Sequence, residues 1–545
     1  MLPALSYLVF KSALKYKQKP HFDEFIRLTR DPKATQWQAL KKILQANQMS
    51  DFGREFRFEK IDSPQSFQES VPVGDFEALR SYIERQRDGE ERALTWEMPV
   101  YYNRTSGTIG TPKDVPVTQQ NVDEIRLGSQ LSAFVLSQQS DVLKGSVFAI
   151  GGSAIEAKTL RGIPIGSASG MLYRQQSRFV RSRYVLPPEV FDIEDVETRY
   201  IAMAVYGLAR RDVTTVATAN PSTFVRLMEI IEQHTDAVLR HISEGTAPLT
   251  GTGLETIKPN PTRARELRLL LERKKTLSYR DFWPDLKGVV TWCGGSCGFA
   301  LSKLTPSLPS DCAVYEFGYN SSEFRGTINV DLENNLCLPM FQHSYFEFVS
   351  TQDWENGRSK FVGLDELEDG AQYYIFATTS SGLYRYDIND IVRVSGRINA
   401  TPTLDFVQKG RGVTNITGEK LTEHQVLEGI NSLRQEFGVD PDFFVLLADE
   451  EESKYMLCME CSTNYDRNQL ENFLDSRLRS LNIEYQAKRK SGRLGRLSLI
   501  ELPTGTGYRF RSERVAAGQR DSQFKYLHLQ YLSQIPPELS RHIQS

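Results

Sequence analysis

Cysteine is scarce in this chain: Cys293, Cys297, Cys312, Cys337, Cys458 and Cys461 are the only six in 545 residues. That excludes a disulfide-built scaffold and suits a reducing compartment, so a cytoplasmic location is expected. Cys458 and Cys461 have CxxC spacing, but they lie in the alternating run 455–461, which reads as a strand. No second pair completes a zinc site, and buried strand thiols are the better reading. The seven histidines are scattered without HExxH or any other ligand spacing. Long apolar runs are also missing, since nothing approaches the ~18–20 residues that span a bilayer. Nor is there a surplus of positive charge. Lys and Arg number 66 against 69 Asp and Glu, a net charge of −3, so no nucleic-acid partner is expected.

What is present is enough apolar sequence for more than one core, because a single core rarely exceeds ~250–300 residues. The first seventeen residues form an amphipathic helix with no signal-peptide pattern, and 22–91 reads as helical with short connections. Strands then alternate with helices: helix 121–136, strand 146–151, helix 198–209, strand 214–219, a long helix 222–240 and strand 286–293. This alternation indicates an α/β architecture. A glycine-flanked basic turn near 405–412 is the expected hinge. Beyond it, helix 423–437, strands 443–447 and 455–461, helix 467–481 and strand 497–502 describe a small α+β domain. The expected division is a large domain over 1–410 and a small one over 411–545. The basic run Lys488–Lys490 with Arg493 and Arg496 reads as a solvated turn.

Four stretches carry chemistry. Thr105–Lys113 (TSGTIGTPK) sits between two apolar strands. Its glycines permit close backbone approach, its hydroxyls can donate to phosphate oxygens, and Lys113 adds positive charge. A plain Ser/Thr/Gly turn is an even alternative, and the loop lacks the Walker A pattern. Gly162–Gly170 is a second glycine-rich loop, fit for a ligand wall or a surface turn. Gly294-x-Ser296-x-Gly298 follows a strand and precedes a helix from Phe299, which formally matches a nucleophile elbow. A serine hydrolase with Ser296, Asp390 and either His424 or His528 is therefore a reading from another class. Tyr319-Asn-Ser-Ser-Glu323 ends a strand, where α/β sheets bind ligands. It offers an aromatic face, two hydroxyls and a carboxylate able to hold Mg²⁺, or else a turn with a capping glutamate. Asp390 precedes a strand and could accept ribose hydroxyls or be a turn aspartate.

Taken in order, these motifs resemble the adenylate-forming superfamily. The segments Gly162–Gly170, Thr218–Ser222, Gly382–Tyr386, Asn415–Glu423 and Gln523–Lys525 are closest to its Gretchen Hagen 3 acyl-acid amido synthetase family. The resemblance covers about Trp37 to the C-terminus. It implies an α/β fold with a large adenylate-forming-type N-terminal domain of mixed sheets and helices, plus a small mobile α+β C-terminal lid. It also implies an ATP- and Mg²⁺-dependent ligase that makes an acyl-AMP and passes the acyl group to an amine, with an amino acid as the expected acceptor. Thr105, Ser106, Gly107 and Thr108 would hold the phosphates. Gly295 and Tyr319 would line the adenine, Ser322 would reach the α-phosphate, and Glu323 would hold the metal. Asp390 and Lys409 would take the ribose side, Lys525 would stabilise the transition state, and Gly166 and Ser169 would border the acyl acid. Ile109 stands where a second threonine is usual, Asn389 where the family has glycine, and Lys409 where arginine is common. A thioester ligase using the same adenylation step is the alternative within this class. A monomer is favoured.

Overall fold

A computed structural model describes residues 2–105, 113–176, 178–248, 257–274, 277–294, 296–355, 357–410, 412–414, 416, 419–490, 492–517 and 524–543. The chain forms two compact units. The first comprises Met1–Cys293, Ala300–Ile388 and Val392–Asp405, and the second Gly294–Phe299, Asn389–Ile391 and Phe406–Ser545.

The first unit is built on a parallel sheet with strand order Ser146–Ala149, Val213–Ala217, Gly288–Thr291, Ala313–Glu316. Every residue of Gly288–Thr291 is buried, as expected of a central parallel strand covered on both faces. Phe148, Tyr200, Phe224, Tyr279 and Trp283 fill the main core beside it. The Trp283 indole N–H is satisfied by the Gly207 carbonyl at 3.2 Å. A second sheet orders Asp114–Val117, Tyr101–Arg104, Pro164–Gly166 and Ala157–Lys158. A third runs in chain order through Tyr345–Ser350, Gln372–Thr378, Tyr386–Ile398 and Thr401–Lys409.

The second unit carries a sheet ordered Ser498–Glu501, Lys454–Glu460, Phe443–Asp449, Leu529–Tyr531. Its middle pair is antiparallel and its outer pairs parallel. Phe444 and Leu446 join one core with Val426, Ile430 and Leu474, while Phe443, Val445 and Leu447 join another with Phe510. Both faces are covered, so this strand is apolar throughout rather than alternating.

Several expectations need correction. The helix predicted over 222–240 is two helices, Ser222–Gln233 and Thr235–Glu244, broken at His234 (φ −117°, ψ 26°). The second glycine-rich stretch is a strand, Pro164–Gly166, followed by the helix Ala168–Gln175. The helix expected from Phe299 starts at Ser296. Asp390 lies inside the strand Tyr386–Ile398 rather than before it. Lys488–Lys490 ends the helix Ile483–Lys490, and Arg489 is no solvated turn residue. It pairs with Asp475 at 2.7 Å, with only 7% of its side chain exposed. Cys458 is buried in its strand, and burial pushes its thiol up to about 12.

Candidate active site

The first hydroxyl-rich stretch is the loop of an antiparallel hairpin that pairs Tyr101–Arg104 with Asp114–Val117. Its mouth is closed twice. The Thr105 N–H donates to the Lys113 carbonyl at 2.8 Å, and the Lys113 N–H donates to Thr105 Oγ1 at 3.0 Å. One step down the stem Arg104 pairs with Asp114 at 2.8 Å. Thr105 is thus a clasp at the base of the loop. Ser106, Gly107, Thr108 and, further on, Gly295 lie outside the described residues.

The hairpin joins the segment holding Gly166 and Ser169. Asn103 pairs with Gly166 in parallel register. The Tyr101 hydroxyl donates to the Ala154 carbonyl at 2.6 Å and the Ser167 carbonyl at 3.1 Å. A Cβ on Gly166 would stand 2.2 Å from the Ala154 oxygen and 2.5 Å from the Tyr101 hydroxyl, so only glycine fits there. Ser167 caps the next helix through the Gly170 N–H at 2.9 Å. Ser169 Oγ accepts from the Gly152 N–H at 3.0 Å.

The turn after Ala313–Glu316 opens at Gly318, whose φ of +91° is in the left-handed region. The Tyr319 carbonyl accepts from both the Gly326 and Thr327 N–H groups at 2.9 Å. Its ring is buried, edge-on to Phe324 with centroids 5.7 Å apart. Ser321 Oγ accepts from the Glu323 N–H at 3.2 Å, which fixes the backbone of a partly buried Glu323. From the hairpin, the buried Asn103 amide donates to the Ser322 carbonyl at 2.9 Å. One hydrogen bond thereby connects the strand entering the first loop to a turn 219 residues later.

Two further residues organise this end of the sheet. Glu316 accepts from the Cys293 N–H at 2.8 Å and the Gly318 N–H at 3.0 Å. Burial raises its pKa against those two donors. Asn103 and Glu316 went unremarked in the sequence because their partners are backbone groups. An aspartate, asparagine or glutamate at a strand end was the available signal.

Tyr384 and Arg385 are internal. The Tyr384 ring stacks on Phe52 at 4.6 Å, and its hydroxyl donates to the Leu94 carbonyl at 3.2 Å. Arg385 pairs with Glu347 at 2.9 Å and donates to the Gln68 and Val71 carbonyls, each at 2.9 Å.

In the second unit, Lys409 Nζ lies 2.5 Å from Asp390 Oδ1, with the carboxylate 2% and the ammonium 49% exposed. Asn389 before it has φ +57°. That explains why asparagine can stand where the family has glycine, since its short polar side chain tolerates the left-handed region. Lys525 is partly buried, its Nζ 5.8 Å from the Phe406 ring centre. The Glu423 carboxylate is buried and accepts the His528 N–H at 2.6 Å. Burial pushes it up to about 7 against the lowering effects of that N–H and of Lys525.

For the hydrolase reading, Asp390 is engaged by Lys409. His528 Nδ1 lies 2.8 Å from the Phe444 carbonyl, with its ring stacked on Phe444 at 4.1 Å. His424 is an exposed residue in the first turn of the helix Glu423–Phe437. Nothing in these settings makes either histidine a serine's base.

Known families supply the deciding observation. Residues 21–312 match the GH3 family N-terminal domain, 337–409 its central domain and 424–531 its C-terminal domain. The chain belongs to the GH3 family. Among relatives, it is 25% identical to a jasmonoyl–L-amino acid synthetase, JAR6, of Nicotiana attenuata over 96% of this chain and 95% of that one. It is 26% identical to the indole-3-acetic acid-amido synthetase GH3.15 of Arabidopsis thaliana, over 75% and 73%. The solved GH3.15 acyl acid amido synthetase superposes with a TM-score of 0.84 at 22% identity, covering 97% of this GH3 chain and 96% of that one. A 2-hydroxyisobutyryl-CoA ligase superposes at 0.53 and 13% identity, over 94% and 92%, so the two share a fold.

Proposed function

We propose that this GH3 chain is an ATP-dependent acyl-acid amido synthetase, an AMP-forming acid–amino-acid ligase. Family membership over three successive domains supports the reaction class. The observation that carries the reading into this molecule is the Asn103–Ser322 hydrogen bond, which holds the hairpin against the Tyr319–Glu323 turn. In the first half-reaction a carboxylate oxygen attacks the α-phosphorus of ATP, and the bond to pyrophosphate breaks. In the second, an amine attacks the acyl carbon, the bond to AMP breaks, and the amine loses a proton.

Ser106, Gly107 and Thr108, which follow the Thr105 clasp in sequence, hold the phosphates. Gly295 and Tyr319 border the adenine, and Ser322 lies toward the α-phosphate. Asp390, held by Lys409, accepts the ribose hydroxyls. Gly166 and Ser169 form the wall beside the acyl acid. Lys525 brings positive charge to the α-phosphorus as negative charge develops there. The domain reading goes with this proposal: 1–410 for ATP and acid, 411–545 as the lid carrying Lys525, in a cytoplasmic, monomeric enzyme.

Among the described residues no three or more His, Cys, Asp or Glu side chains converge on a metal position. A single partly buried carboxylate, Glu323, fits Mg²⁺ nonetheless, because that ion is commonly bound by one or two carboxylates with substrate phosphates and waters. When bound there it would neutralise charge on the leaving pyrophosphate.

The test is acid-dependent exchange of radiolabelled pyrophosphate into ATP with Mg²⁺ and a panel of acids. Exchange is expected, and its absence across the panel defeats the proposal. Lys525→Ala should lower it by about 10²–10³-fold, while Ser296→Ala should leave it standing. The opposite pattern returns the hydrolase. Product formed only with thiols, and none with amino acids, would move the chain to the thioester ligases.

A further inference from the structure

Two residues beyond Glu323, Arg325 occupies an unusual position for a guanidinium. It bridges Asn320 across the tight hairpin of the Tyr319–Glu323 turn. Its side chain lies along the helix Gln119–Gln139. There Nη1 donates to Ser129 Oγ at 3.2 Å and Nη2 to Ser132 Oγ at 2.8 Å. Ser129 in turn donates to the Ile125 carbonyl at 3.0 Å, which leaves its lone pairs for the guanidinium. Nε is buried and has no acceptor among the described residues. The helix is shaped to admit this side chain: a Cβ on Gly128 would fall 2.7 Å from both Cδ and Nε of Arg325.

The missing element is an anion. Arg325 as a whole is partly buried, whereas the fully buried Arg263 and Arg385 pair with Glu266 and Glu347, each at 2.9 Å. No carboxylate among the described residues pairs with Arg325. Desolvation brings its pKa down to about 10, so it stays charged at neutral pH. Withdrawing such a charge even partly from water without a counter-charge is unfavourable. A glycine and two hydroxyls arranged around such a charge are what a binding position needs if the counter-ion arrives with a ligand, because a guanidinium and a carboxylate make paired, charge-assisted hydrogen bonds.

We propose that Arg325 pairs with a substrate carboxylate that takes no part in the reaction, the far end of a dicarboxylic acyl acid. This rests on the adenylation reading of the Tyr319–Glu323 turn. It names the substrate class of that site: short or aromatic diacids rather than acids with a purely apolar tail. The α-carboxylate of an acceptor amino acid has the same chemistry. The two sources separate by experiment, since pyrophosphate exchange needs no acceptor.

The experiment compares matched acids, glutarate with valerate and terephthalate with benzoate, on the full-length wild type, Arg325→Met and Arg325→Lys. Each protein is followed by pyrophosphate exchange and by equilibrium binding of the same acids. Wild type should favour the diacids. Arg325→Met should raise the diacid KM and Kd by about ten- to a hundred-fold with kcat and the monoacids little changed, and Arg325→Lys should restore part of the loss. Wild-type preference for monoacids, or an equal effect of Arg325→Met on both acids, overturns the proposal. An effect confined to the KM of the amino acid in amide formation overturns it in favour of the acceptor. Diacid binding that depends on Arg325 without exchange for any acid upholds the anion site and defeats the adenylation reading. Exchange with monoacids and no diacid binding does the reverse. Neither binding nor exchange defeats both.

Discussion

Arg385 leaves water together with Glu347, whereas Arg325 leaves it with two serine hydroxyls. The first pair is sealed, with the guanidinium side chain 5% and the carboxylate 1% exposed, and two backbone carbonyls complete the arginine's bonds. Burial raises the Glu347 pKa despite Arg385, so this pair is held by mutual geometry. Arg325 has hydroxyl acceptors and, among the described residues, no counter-charge. A third group completes the comparison. Glu124, on the same helix as Ser129 and Ser132, is largely withdrawn from water, its side chain 11% exposed, and among the described residues its hydrogen-bond partners are neutral: the Ser380 hydroxyl donates at 2.7 Å and the Gln120 amide at 2.9 Å. Burial pushes it up to about 7. A carboxyl group can shed an uncompensated charge by taking up a proton, and a guanidinium cannot. One fold thus shows three fates for a buried charge: paired, neutralised, or kept.

The sharpest break is Glu347→Ala, which strands Arg385. It should cost about 3–5 kcal/mol in urea-induced unfolding, and a loss below 1 kcal/mol would mean the pair is not the lock described here. Glu124 comes next. Its folded pKa lies above its unfolded value, so the folded state binds more protons between about 4.5 and 7. The penalty is absent at low pH, grows through that window and is complete above it. His343 beside it, 4.0 Å away, is held neutral by burial, its pKa down from 6.5 to about 4, so its own contribution runs the other way and raises stability between those values. The two are separated by variant: the Glu124 share of the unfolding free energy should fall by about 2.5 kcal/mol between pH 5 and 8. Glu124→Gln should remove that share and leave stability rising with pH through the His343 window. Gly128→Ala should cost about 1–3 kcal/mol by forcing the arginine aside. The cost should shrink in the Gly128→Ala, Arg325→Ala double variant, a non-additivity that a thermodynamic cycle reads directly. Smallest of all, Arg325→Met alone should leave stability within about 1 kcal/mol of wild type, because removing a partly buried charge with no carboxylate partner among the described residues offsets the lost packing. A loss as large as that of Glu347→Ala would make Arg325 structural.

The sequence made the first stretch legible as a loop between two strands because its flanks are apolar and its centre rich in Gly and Thr. The helices Glu423–Phe437 and Arg467–Leu481 were legible from the alternation of elements beyond the expected hinge. Other features were set by tertiary partners and left no local trace. The break at His234 interrupts a run that is periodic on both sides. Arg489 reads as one of a basic cluster until Asp475 is folded beside it. Arg325 is unremarkable beside the Tyr319–Glu323 motif, since what distinguishes it is that its partners among the described residues are hydroxyls and not a carboxylate, which only the packed helix Gln119–Gln139 reveals. Tyr384 and Arg385 were the opposite case: a conspicuous motif whose side chains serve the interior.

The close approach of Gly128 to Arg325 also bears on how such a protein can change over time. While the arginine is present, any side chain at position 128 must push it aside. Once the arginine is lost, alanine or serine can enter at 128 without opposition, and the arginine can then return only by displacing it. The two positions act as a ratchet, so that within a lineage the order of these two substitutions decides whether the first can be reversed.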